Sequence, residues 1–168
     1  MPKVTAGLFK IVERLYGLSF KLREDIPVYH PDVQAYEVIK DGVFHAVLYA
    51  DFHPREGKRN GAWMTSYRSQ NHQYRPHVSI VCNFSPPTEN TPALLTFNEV
   101  TTLFHEFGHA LHWMLANTHY AALSGTNVYW DFVELPSQVL ENWCYQAEVL
   151  ELFAQHYQTG ELIPAHYI

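Results

Sequence analysis

The chain has 168 residues, enough for one hydrophobic core and one domain. A formal net charge of −6 with scattered Lys and Arg gives no footprint for nucleic acid, and no apolar run is long enough to span a bilayer. Two cysteines, Cys82 and Cys144, are too few for a disulfide framework; with no signal peptide evident, the sequence reads as a cytoplasmic chain with reduced core thiols.

In chain order, residues 3–16 are predicted as a helix, with Leu8, Ile11, Val12 and Leu15 on one face. From about 34 to 84 the pattern changes to strands, at 35–40, 43–52, 62–66 and 78–84. Turns at Asp41-Gly42 and through Pro54, Gly57, Asn60 and Gly61 separate them. Arg55, Lys58 and Arg59 read as a solvated turn. Pro86, Pro87 and Pro92 mark a loop into a helical half. Phe97, Val100, Leu103, Phe104, Phe107, Ala110, Leu111, Met114 and Leu115 then recur at helical spacing and predict a helix at about 97–116. Thr96 and Glu99 form a capping box at its start, and Asn117 is a left-handed stop at its end. A second long helix, reaching to about 158, carries Val139, Leu140, Trp143, Cys144, Ala147, Leu150, Ala154 and Tyr157 on one side. The expected fold is α+β: a small mixed or antiparallel sheet followed by two long helices.

The chemistry concentrates in HEFGHALH, residues 105–112. His105 and His109 stand one helical turn apart, so both imidazoles leave one helix face and can close on one metal ion. Glu106 turns toward the open side of that ion, where a carboxylate can take a proton from water. A pair of core histidines that merely hydrogen-bond is the plainer alternative, and the capped amphipathic helix around the motif weighs against it. A catalytic site needs a third protein ligand. Glu134, in DFVELPSQ, is the first candidate and Glu141, two turns further along, the reserve. Asp131 and Glu134 could instead form a capping box, but Pro136 would then fall where the helix needs an amide hydrogen, so a start nearer Leu135 suits the proline better. His112 reads as a neighbour of the metal-facing side rather than a ligand, and Ser124-Gly125-Thr126 lacks the setting of a nucleophile loop.

HEFGHALH, then SGTN, then DFVELPSQVLENW together resemble the catalytic segment of the thimet oligopeptidase and peptidyl-dipeptidase family of zinc metallopeptidases. The similarity extends through LYADFHPREGKRNGAW, VCNFSPP and GLFKIVERLYGLSF, and so covers nearly the whole chain. The resemblance implies one zinc ion held by His105, His109 and Glu134, with Glu106 as general base, and selects Glu134 over Glu141. It implies a zincin-like core and hydrolysis of peptide bonds in short peptides. It also implies a protein several times longer, mostly helical and two-lobed, with a later segment whose tyrosines and histidine contact substrate and oxyanion. Against that pattern, residues 1–168 are expected to be a single partial catalytic domain: strand-rich at about 34–84, with the zinc-site helices at about 97–158. Tyr145, His156, Tyr157 and His166 are later residues of oxyanion-donating chemistry, and the first three are expected to face away from the metal. The rival expectation is a catalytically incomplete zinc-binding fragment that acts only beside a complementary chain and self-associates through uncovered apolar faces. A structural-zinc module is disfavoured, because no cysteine lies near the motif. A strand near 78–83 is expected to be an edge able to hold a peptide backbone.

Overall fold

Pro2 opens the first helix, where its missing amide hydrogen costs nothing, and Gly17 closes it at φ 70° with its N–H on the Glu13 carbonyl. This helix, α1 (Pro2–Tyr16), buries Leu8, Ile11 and Val12. The computed structural model describes residues 1–167. After α1 come β1 (Leu18–Leu22), β2 (Gln34–Lys40), β3 (Val43–Asp51), β4 (Trp63–Arg68) and β5 (His77–Val81). They form one mixed sheet in the order β1-β2-β3-β5-β4: β3 and β5 run parallel, and the other neighbours antiparallel. Asp41 and Gly42, both with positive φ, make the tight β2–β3 turn that the Asp-Gly pair predicts.

Two expectations about the sheet need correction. β1 was not predicted: five residues leaving a helix stop carry too short an alternation to stand out, although Leu18 and Phe20 do face inward. The strand at 77–81 is not an edge. It lies between β3 and β4, so the free backbone on that side belongs to β4.

The solvated turn is overturned at Arg55 and Lys58, while Arg59 is exposed as expected. Asp51, 1 % exposed at the end of β3, receives both terminal nitrogens of Arg55 (2.7 and 2.9 Å), the Lys58 ammonium (2.8 Å) and the Tyr29 hydroxyl (2.8 Å). The Lys58 side chain is only 3 % exposed and also donates to the carbonyls of His53 and Cys82. The loop before β4 is therefore tied down on a buried ion-pair cluster, and Asn83 Nδ2 fastens it again at the carbonyls of Arg59 and Gly61. Burial alone would raise the Asp51 pKa, but the hydrogen bonds from Arg55, Lys58 and Tyr29 outweigh it and hold the carboxyl at about 2. A depressed folded-state pKa contributes stability above the ordinary value of 3.8 and loses it as pH falls through about 2. The gap is worth about 2 kcal/mol. Denaturant melts of the chain between pH 4 and pH 2 are expected to show that loss. The slope over this window is expected to shrink in Asp51→Asn, and an unchanged slope would remove Asp51 as its source.

The second long helix element, α2 (Phe97–Met114), begins with the capping box read from the sequence: Thr96 Oγ1 accepts from the Glu99 amide at 3.2 Å, and Glu99 Oε2 accepts from the Thr96 amide at 2.8 Å. It buries Val100, Leu103, Phe104, Phe107, Ala110, Leu111 and Met114 against α1 and the inner face of the sheet, chiefly Val38, Leu48, Ala50, Val78 and Ile80. Its end differs from expectation. Leu115 is a right-handed cap, and Asn117 does not have positive φ. The stop is made by Arg75, which donates to the carbonyls of Met114 (2.6 Å) and Ala116 (3.1 Å), placing a cation at the negative end of the helix.

The predicted long helix after Glu134 is broken. A short α3 (Trp130–Val133) precedes Glu134, and after it come α4 (Leu135–Glu141), a 3-10 turn at Asn142–Tyr145 and α5 (Ala147–Leu150). Gln146 is extended (φ −93°, ψ 125°), which shifts the phase so that Val149 and Leu150 are buried while Ala147 is exposed. Spacing reports which residues face the core; it does not report that the backbone between them stays helical. Cys82 and Cys144 are both free and buried. Among the described residues no helix is long and apolar enough to cross a membrane.

Candidate metal centre

Pro136 starts α4 within its first turn, as its missing amide hydrogen requires, and leaves Glu134 as the residue at the helix entrance. No Asp131–Glu134 capping box forms; α3 has no side-chain cap at all. The Glu134 carboxylate is held by Ser137, whose buried hydroxyl lies 2.8 Å from both the Glu134 backbone carbonyl and Oε2.

α4 crosses α2 at Gly108. A Cβ there would lie 2.5 Å from the Ser137 Cα and 2.7 Å from the Pro136 carbonyl oxygen, closer than atoms can approach. The absence of a side chain thus lets two backbones touch, and it brings Glu134 over the outward face of α2. Glu134 Oε2 stands 3.2 Å from His105 Nε2 and 3.1 Å from His109 Nε2, and the two rings meet edge to face with centroids 4.8 Å apart. Among the described residues these three form the set of His, Cys, Asp and Glu donors close enough to share a metal ion. Two atoms bound at about 2.0–2.1 Å to one tetrahedral ion stand roughly 3.3 Å apart, so the spacing of the Glu134 oxygen from each nitrogen fits such an ion.

Glu106 is buried beside the set. Burial raises its pKa above the ordinary carboxylate value; His105 pulls it down, the neighbouring Glu134 pushes it up, and a hydrogen bond from the Met64 backbone pulls it down again. Met64 is on β4, so the free edge of the sheet abuts this carboxylate. His109 is mostly buried and its pKa is lowered, by burial first and against the opposing pull of Glu134. Its Nδ1 is buried without a hydrogen-bond partner among the described residues.

Glu141, the reserve candidate, stays outside the converging donors: its Oε1 lies 2.5 Å from His105 Nδ1, on the far side of that ring. His112 also stays outside. Its ring packs edge-on to Phe132 in an apolar recess with Leu135, Pro136 and Val139. Tyr145 packs on Phe97 at the opposite end of α2, and His156 bonds the backbone and hydroxyl of Thr159; neither is on a helix running from Glu134. His166 lies in a 3-10 turn at Ala165–Tyr167. Sequence reasoning missed the parts played by Gly108, Ser137 and the Met64 backbone. The Gly in the HExxH spacer was the one available signal, since glycine inside a helix costs about 1 kcal/mol and so asks for a packing reason.

The sequence is similar to known proteins along nearly its whole length. Dipeptidyl carboxypeptidase of Salmonella typhimurium is 47% identical over 162 residues, which is 95% of this chain and 24% of that protein. Oligopeptidase A of Escherichia coli is 44% identical over 169 positions, covering 96% and 25% respectively. A thimet-like oligopeptidase of Dictyostelium discoideum is 39% identical over 158, covering 88% and 23%. The chain thus spans about a quarter of the length of these curated relatives. The description "Peptidase family M3" matches residues 1–168 from end to end, and with it the chain belongs to peptidase family M3.

Proposed function

We propose that this chain carries the zinc-dependent peptide-hydrolysing centre of an M3 oligopeptidase or peptidyl-dipeptidase acting on short peptides. The observation that carries the reading is the convergence of His105, His109 and Glu134, whose ligand atoms lie within 4.8 Å of one another with Glu134 Oε2 3.2 and 3.1 Å from the two Nε2 atoms, and with Glu106 buried alongside. Two imidazoles and one carboxylate are a catalytic donor set for zinc, and no cysteine is among them to suggest a closed structural site. Zinc, when bound, supplies Lewis acidity toward a water and the scissile carbonyl. Glu106 receives the water proton on its carboxylate and delivers a proton to the leaving amine. Its burial suits that cycle, because a desolvated carboxylate holds a proton more readily than one in water. Ser137 keeps Glu134 aimed, and the free edge of β4, beside Glu106, takes the peptide backbone by strand addition. Relatives named oligopeptidase A and dipeptidyl carboxypeptidase support peptides as substrates. Two buried free thiols suit a reducing, cytoplasmic setting.

A second reading is favoured by coverage of only a quarter of the relatives and by exposed aromatics beside the site, Tyr129 at 88 % and Trp130 at 94 %. In it the 168 residues bind zinc but hydrolyse little, and self-associate, until complementary sequence is present. One experiment decides. The purified chain is expected to hold one zinc per molecule by metal analysis, with Glu134→Ala weakening the affinity. A quenched fluorogenic peptide, given with and without a candidate complementary chain, then separates the readings. No stoichiometric zinc in the supplemented chain, or an unchanged affinity in Glu134→Ala, would sink the ligand assignment.

A further inference from the structure

We propose that Glu141 is a positioning residue for the metal centre: its carboxylate fixes the tautomer and the aim of His105. The inference rests on the zinc reading above and adds a residue to it. α4 brings a carboxylate to the same ring from both of its ends. Glu134, at the entrance, faces His105 Nε2 at 3.2 Å; Glu141, its last residue, faces Nδ1 at 2.5 Å. The two residues are separated by about 10 Å along the helix axis, the distance needed to bracket an imidazole standing between them. A neutral imidazole has one N–H and one lone pair, and an ionised carboxylate only accepts. Both ring nitrogens face a carboxylate, but the Glu141 contact on Nδ1 is the shorter (2.5 against 3.2 Å), so it holds the single proton of the neutral ring on Nδ1 and leaves the lone pair of Nε2 toward the converging donors. A short charge-assisted bond of this kind also makes the opposite nitrogen a stronger donor to a metal.

The two histidines differ in a way that explains why one of them needs such a partner. The His109 side chain is 11% exposed, and packing alone confines its ring; its Nδ1 meets no partner among the described residues. The His105 side chain is 27% exposed, so its neighbours leave it room to turn. A carboxylate on Nδ1 supplies the constraint that burial does not.

The test uses the full 168-residue chain. Zinc affinity is measured against a competing chromophoric chelator for the wild type, Glu141→Gln, Glu141→Ala and, as a ligand control, His109→Ala. In parallel, nitrogen-15 NMR of the zinc-free chain reads the His105 tautomer, assigned by difference from His105→Ala. The Ala variant is expected to bind zinc about 10- to 100-fold more weakly. Gln, whose amide oxygen still accepts from Nδ1, is expected to fall between Ala and wild type. His105 is expected as the Nδ1–H tautomer in the wild type and as a mixture in Glu141→Ala. Wild-type affinity together with an unchanged tautomer in Glu141→Ala would overturn the proposal. So would a loss as complete as in His109→Ala, which would make Glu141 a ligand. If the wild type binds no zinc, the zinc reading fails by itself: the tautomer in the zinc-free chain still supports the role of Glu141 if it is Nδ1–H and shifts in the Ala variant, and overturns it otherwise.

Discussion

Glu106→Gln is expected to retain zinc and to lose hydrolysis by at least about a hundredfold, the lower end of what a positioned acid–base group contributes. The substitution preserves volume and planarity, so the buried pocket beside β4 stays filled, and the Met64 backbone can turn from a carboxylate oxygen to an amide oxygen. What disappears is a site that can hold a proton between its removal from water and its delivery to the amine. Glu106 is not one of the three converging donors, so metal affinity is expected to change far less than activity. The assay belongs to whichever chain shows hydrolysis, these 168 residues or a longer protein containing them, with bound zinc measured on the same sample. Retention of most of the activity with zinc still in place would remove Glu106 from the chemistry.

The parts of this site that were legible in the sequence are those fixed within one helix. HExxH needs only a regular α-helix to put two imidazoles on one side, and the Thr96–Glu99 capping box with the apolar stripe predicted that helix to within two residues at its C-terminal end. Pro136 also spoke locally, because a proline restricts where a helix can begin, and α4 does begin at Leu135. Legibility failed where a residue's role depends on something distant in sequence. Lys58 looked like a solvent cation until β3 supplied Asp51 and the residue just after β5 supplied the Cys82 carbonyl. The edge strand was misassigned because strand order is set by how β4 crosses to the outside of β5, which no local pattern encodes. The continuous second helix was an error of a different kind. One extended residue, Gln146, changes the direction of the chain while leaving an apolar residue at nearly every third or fourth place. Glu141 was weighed as a substitute for Glu134, and geometry gives the two carboxylates opposite sides of one ring.

The crossing of α2 and α4 makes a sharper claim, because two effects on one residue oppose each other. Inside a helix, glycine to alanine is worth about 1 kcal/mol of stabilisation by propensity alone. At Gly108 the added Cβ would meet backbone atoms of Ser137 and Pro136 at 2.5 and 2.7 Å, and backbone cannot swing aside as a flexible side chain can. Relieving contacts that close requires the helices to part by about 1 Å, and overpacking of this kind costs about 1–3 kcal/mol. Packing therefore wins, and Gly108→Ala is expected to lower the melting temperature of the chain. The consequence for the site is larger than the consequence for stability. α4 carries Glu134, Ser137 and Glu141, so a rigid shift moves all three relative to His105 and His109. Metal ligands tolerate errors of about 0.2 Å, well below the displacement the methyl demands. Zinc affinity is expected to fall, and hydrolysis to fall by about a hundredfold, as misplacement by 1 Å does elsewhere. Thermal melts and chelator competition on Gly108→Ala check both halves. A variant more stable than the wild type with undiminished zinc affinity would mean that α2 and α4 do not meet as closely as described, and that Glu134 is brought to the histidines by some other contact.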